Sequence, residues 1–151
     1  MYSILLFIHS WTRWLVLIAA FWAIFRALSG WQGKKPFTKQ DNIAGAVFVG
    51  SVHLQLLLGL LLYFLGTHWF EILMADPKGT MKNPVARFWA VEHIVTMIIA
   101  AVIAQIGRTL SKRAKQHTHK HKMAFIYFTV AIILIIISIP FVSRPLFREF
   151  F

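Results

Sequence analysis

The sequence predicts an all-α integral membrane protein, a four-helix antiparallel bundle built as one transmembrane domain over residues 1–151. Three observations predict it. First, 58% of the 151 residues are hydrophobic, against about 45–50% in soluble domains. Second, the apolar residues gather into four runs near the ~20 residues a helix needs to cross a bilayer. Third, 16 Lys and Arg face only 5 Asp and Glu, a net charge of +11, and these cations cluster in short connections beside the apolar runs. That clustering is how membrane proteins set their orientation, so the basic balance points to a lipid bilayer and not to nucleic acid.

The four spans cover about residues 4–28, 43–66, 84–107 and 123–142. The first run has no basic leader and no small-residue cleavage site after it, which predicts a retained helix rather than a signal peptide. Ser29-Gly30 marks its end. Thr38-Lys39-Gln40-Asp41 reads as a capping box opening the second helix. Asn83 followed by Pro84 is an N-cap with proline at the first helical position, opening the third. Gly107 lies near the third helix's end, and Pro140 would kink or stop the fourth. Short loops favour an up-down-up-down bundle, whose core can host a cofactor.

Lys34, Lys35 and Lys39, with Arg26 just inside, flank the first connection. Arg108, Lys112, Arg113, Lys115, Lys120 and Lys122 flank the third. The opposite side has fewer cations: Lys78, Lys82 and Arg87, then Arg144 and Arg148 in the tail. Positive-inside then places both termini outside and both basic loops in the cytoplasm; in a bacterium, outside means the periplasm. Trp11, Trp31, Trp69 and Trp89 fall toward span ends, as an aromatic belt would.

Three histidines, His9, His53 and His93, sit within three different apolar spans. An ionisable side chain in hydrocarbon needs a partner and marks a functional site by default. At ~1.5 Å rise per residue, His9 and His93 lie at matching depth, roughly 10 Å below the outer boundary, and His53 lies deeper. Matching depth favours His9 with His93 as a bis-histidine pair, while His53 with His93 remains open. Arg13 is one turn after His9 and Glu92 adjoins His93. The two could form a buried ion pair; alternatively Arg13 could meet a haem propionate and Glu92 could accept a ligand histidine's second N–H or relay a proton. Ser51, Gln55 and Gly59 share a face of the second helix, with His53 well round from Gln55. Gly59 would allow close approach of a helix or a flat cofactor. Gln55 is read first as helix–helix glue and second as a quinone contact. Met97, four residues after His93, is a further axial-ligand type.

Each histidine also has a plain structural reading, a hydrogen bond to a neighbouring helix. His68 reads as interfacial. His117, His119 and His121 form an HxHxH run in a lysine-rich loop, read as a solvated basic segment meeting anionic headgroups before it is read as a metal tract. With no cysteine there is no disulfide, no thiolate-ligated haem and no CxxCH attachment, so a haem would be held non-covalently.

The segments His9-Ser10-Trp11-Thr12-Arg13-Trp14, Val52-His53-Leu54-Gln55-Leu56-Leu57-Leu58-Gly59 and Val91-Glu92-His93 resemble those of small four-helix bacterial membrane proteins labelled cytochrome b. The likeness extends over most of the chain, including Gly33-Lys34-Lys35-Pro36-Phe37 and Asp41-Asn42. It implies His9, Arg13, His53, Gln55, Glu92 and His93 as the family's polar positions. A remoter likeness is to one half of haem A synthase, also a four-helix bundle with bis-histidine haem. This chain lacks the synthase's cysteine pair and second half, which speaks against synthase activity.

The leading expectation is therefore a haem b protein passing electrons in the inner membrane, with quinone and a membrane protein or a second copy as candidate partners. A non-haem copper or zinc site on His9, His53 and His93 is the alternative, and it requires all three to converge. A third expectation is a non-catalytic subunit of a larger membrane complex. No nucleotide-binding glycine loop, nucleophile elbow or HExxH motif is present, so electron transfer is favoured over stand-alone enzymatic conversion.

Overall fold

The computed structural model describes residues 1–140. The predicted end of the fourth span at 142, with Arg144 and Arg148, lies outside them. Every element among the described residues is helical. Helix α1 covers Tyr2–Gln32, and α2 covers Lys39–Leu61 and continues as a wide π turn, Leu62–Gly66. Three short helices follow: α3 (Trp69–Ala75), α4 (Pro77–Lys82) and α5 (Pro84–Arg87). A second π turn, Phe88–Glu92, leads into α6 (His93–Arg113), and α7 covers His117–Ile137. Four helical stretches, Tyr2–Gln32, Lys39–Gly66, Pro84–Arg113 and His117–Ile137, are long and apolar enough to cross a membrane.

The start signals act as the sequence suggests. Asp41 Oδ2 accepts from the Thr38 amide at 2.8 Å and from its hydroxyl at 2.9 Å, while Asp41 Oδ1 takes Arg26 Nε at 2.8 Å. Asn83 Oδ1 accepts from the Val85 and Ala86 amides. Both occupy orphan N–H groups at a helix start.

Helix α1 ends just after Ser29-Gly30, at Gln32, whereas α6 continues past Gly107 to Arg113. A Cβ at Gly30 would lie 2.3 Å from the His121 ring, and one at Gly107 would lie 2.2 Å from Tyr127 Cβ. Both glycines are contact points between helices. Helix α1 ends in a Schellman arrangement. The Lys35 amide reaches Gly30 O at 3.0 Å and the Lys34 amide reaches Trp31 O. Lys34 takes the left-handed conformation there, with φ 50°, at a position where glycine is usual.

The HxHxH run is helical rather than a loop, with His117 and His119 exposed, as the solvated reading expects, and His121 buried. It forms the first turns of α7. Ser111 Oγ donates to Lys120 O at 2.8 Å, and Lys120 Nζ donates to the Ser111 and Lys112 carbonyls. These bonds tie the last turn of α6 to the first turn of α7, and an ammonium at a helix C-terminus also meets the dipole favourably.

The core is built from small residues. Ala19, Ala20, Ala23 and Ala27 of α1 pack in one cluster with Ala100 and Ala104 of α6 and Ala131 of α7. Phe48 and Phe128 fill its centre, ring centroids 5.0 Å apart and edge to face. Outward positions carry the large apolar side chains: Phe21 is 77% exposed and Phe25 64%. Small residues inside and large apolar residues outside are how helices pack in a lipid solvent.

Candidate functional site

At the end of the bundle away from this alanine cluster the four long helices enclose a cavity of about 800 Å³. That is within the ~300–1,000 Å³ range of small-molecule and cofactor pockets. His9 and Arg13 of α1, Gln55 and Gly59 of α2, and His93 and Met97 of α6 line it. Ile135 and Ile139 contribute apolar wall from the fourth long helix and its exit.

His93 is half-buried, and its orientation is fixed by Ser138, which caps the end of α7. Its Nδ1 donates to the Ser138 carbonyl at 2.9 Å, with Ser138 Oγ at 3.2 Å. An imidazole that donates from Nδ1 carries its lone pair on Nε2, so this contact selects the nitrogen able to ligate. Phe88 and Trp89 stand beside the ring, centroids 5.7 and 6.0 Å away.

His9 is held through its backbone. Gln55 Nε2 donates to His9 O at 2.7 Å, and Thr12 Oγ1 bonds Gln55 Oε1 while it also reaches His9 O at 3.1 Å. Gln55 therefore joins α1 to α2, the glue role the sequence puts first. Gly59 lets the His9 ring lie against α2, because a Cβ there would come within 3.1 Å of His9 Cε1. Ser10 and Arg13 are buried beside it on the same wall.

Two of the polar positions lie elsewhere. His53 is exposed on the outer surface of α2 and is not part of the cavity wall. The helical rotation of about 100° per residue explains this: two residues from inward-facing Gln55, it points away. The three histidines do not converge. Among the described residues no group of three or more His, Cys, Asp or Glu side chains is placed to hold a metal ion. The three histidines of the copper or zinc alternative are thus not brought to one point. Glu92 is also outside the cavity. It faces outward and pairs with Arg87, Nε to Oε1 2.6 Å, so neither its pairing with Arg13 nor its contact with a ligand histidine occurs. Ser51 bonds Phe48 O within its own helix. His68 is exposed and paired with Glu71 at 3.1 Å.

Sequence reasoning missed the two π turns and the residue that joins them. Wide turns break the regular backbone ladder and often occur at functional sites. Both border this cavity. Tyr63, in the first, is buried and donates its hydroxyl to Ala90 O, in the second, at 2.7 Å. The second turn closes on His93, whose amide reaches Phe88 O. The one available signal was spacing, since Tyr63 lies one turn beyond Gly59 on the same face. Ser138 as the partner of His93 left no signal, being 45 residues away.

His121 departs from the solvated position that its polar surroundings predict. It is 1% exposed, packed on Gly30 and against the Phe37 ring at 5.1 Å, and neither ring nitrogen has a hydrogen-bond partner among the described residues.

No protein-family model, no curated protein and no solved structure matches this chain.

Proposed function

We propose that the chain crosses a bacterial inner membrane four times as an antiparallel bundle, with both termini periplasmic, and binds a b-type haem for electron transfer. The observation that carries the haem reading is that His9 and His93 both line the wall of one cavity, with His93 already oriented through Nδ1. Antiparallel packing is supported by contacts at both ends of the first pair: His9 meets Gly59, while Arg26 meets Asp41. The cation imbalance between the two ends supports the orientation.

The donor set suits the group. Two imidazoles are a common axial pair for haem, and the absence of cysteine leaves non-covalent retention. Arg13, buried in the same wall, would be the cation nearest to hand for a haem carboxylate. Haem iron would supply one-electron exchange. The chain's own residues do the rest: Ser138 holds the His93 imidazole, Gln55 and Gly59 hold the His9 segment against α2, and Ile135, Ile139 and Met97 keep the surroundings apolar. Such contacts tune a potential through ligand basicity and local dielectric. The reaction partner follows from the compartment: a membrane electron carrier such as a quinone, or a docked membrane protein.

The test is the absorption spectrum of the full chain purified in mild detergent after expression with ample haem supply. A narrow reduced α-band with a Soret shift is expected. A colourless protein would overturn the reading and leave the role of a non-catalytic subunit in a larger membrane complex.

A further inference from the structure

The cavity accounts for one end of the bundle and leaves the other unexplained. Residues 26–41 and 108–122 carry ten Lys and Arg and one acid, Asp41, a balance of +9. Residues 67–92, at the cavity end, carry three cations and three acids and balance to zero. The two basic segments are far apart in sequence and joined in space. The Phe37 amide donates to His117 Nδ1 at 2.8 Å, and Arg108 Nη1 reaches Asn42 O at 3.1 Å. Lys120 Nζ stands 5.6 Å from the centre of the Phe37 ring and Lys122 Nζ stands 6.0 Å from that of Trp31. One continuous rim results, with lysines beside aromatic rings where the long apolar helices end. Asp41 is already taken by Arg26, so the rim's own acid neutralises little of it. Lys34, Lys39, Lys112, Arg113 and Lys115 are all exposed.

We propose that this rim is a docking surface for anionic phospholipid headgroups, and that the chain retains such lipids selectively. Two features single out a lipid surface. The cations encircle the ends of apolar helices, at headgroup level for a spanning bundle. The aromatic rings beside them are the residue type that settles at that level. A cation near an anionic leaflet contributes about a fivefold gain in association, and the gain fades within a Debye length. The inference rests on the membrane reading and not on haem.

The test follows lipid retention by the full chain. The chain is extracted in mild detergent and offered phosphatidylglycerol or phosphatidylcholine, and bound lipid is counted by native mass spectrometry. Thermal unfolding is recorded in parallel with each lipid and with inorganic phosphate. Phosphatidylglycerol is expected to be retained at least about fivefold over phosphatidylcholine and to raise the melting temperature. The preference should fall in the Lys112→Gln/Arg113→Gln/Lys115→Gln variant, whose side chains are exposed and whose helix-end bonds use backbone carbonyls. It should survive in Lys78→Gln/Lys82→Gln, in the charge-balanced segment 67–92. Equal retention of the two lipids would overturn the proposal. So would an equal loss in both variants, or a stabilisation by inorganic phosphate that matches the lipid's. None of these readouts contains a haem signal, so failure of the cofactor reading leaves the test intact.

Discussion

The two halves of the bundle use the same four long helices and solve opposite problems. In the half that ends in the basic rim, the facing positions are Ala23, Ala27, Gly30, Ala104 and Gly107, and the helices close on one another. In the other half the facing positions are His9, Arg13, Gln55, Tyr63 and His93, and the helices stand around a cavity. Small residues let backbones approach and gain dispersion contacts. Large polar residues hold backbones apart and require hydrogen-bond partners, which Gln55, Ser138 and the Ala90 carbonyl provide. The closed half holds the frame, and the open half spends its side chains on a site. Even the wide π turns obey this division, since both occur in the open half.

Substitutions that blur the division should have graded effects. The largest is expected from filling the closed half. Gly107→Ala puts a methyl into Tyr127 Cβ, an atom fixed to the backbone, and should destabilise the fold by about 2 kcal/mol or more. Gly30→Ala presses on the fully buried His121 ring and should cost a similar or slightly smaller amount, because a ring can shift where a backbone-linked atom cannot. Thermal unfolding in detergent measures both, and a neutral Gly107→Ala would contradict the close contact.

A smaller effect is expected in the open half. Tyr63→Phe removes the donor to Ala90 O and should cost about 1 kcal/mol. Its more specific consequence is local: backbone amides of Phe88 to Val95 should exchange with solvent faster, while those around Ala104 do not change. Uniform exchange across both regions would mean that the hydroxyl does not hold the second turn. The smallest effect belongs outside both halves. Lys34→Gly relieves a left-handed lysine at φ 50° and should stabilise the fold, by up to about 1 kcal/mol. A loss of stability there would show that the lysine side chain outweighs its backbone strain.

The closed half was the less legible of the two in sequence, although its composition was the clearer signal. Hydrophobic runs mark the four helices that are long and apolar enough to cross a membrane. They do not reveal which glycine ends a helix and which receives a neighbour, because both roles need only a missing Cβ. Gly30 lies near a helix end and also receives a neighbour, whereas Gly107 only receives one. The HxHxH run was legible in part: its polarity matches the exposed His117 and His119, while Ser111 and Lys120 close a tight helical hairpin there and His121 packs on Gly30. In the open half, helical spacing was enough to place Arg13 with His9, and Gln55 with Gly59. It also put His53 on a different face from Gln55. Which of those two faces turns inward depended on helix rotation, which sequence does not encode locally. Glu92 went the same way, adjacent to His93 in the chain and outside the cavity in space. The partners that orient the site, Ser138 and Tyr63, act across long sequence separations and left almost no trace in the pattern.

The central claim is that His9 and His93, and not His53, serve the cavity. The most direct measurement is the reduced-minus-oxidised spectrum of the full chain beside His9→Ala, His93→Ala and His53→Ala, each normalised to folded protein. The account predicts a low-spin α-band in the parent and in His53→Ala, and its loss in the other two. Loss in His53→Ala with retention in His9→Ala would contradict it, and would place the ligand on the outer face of α2.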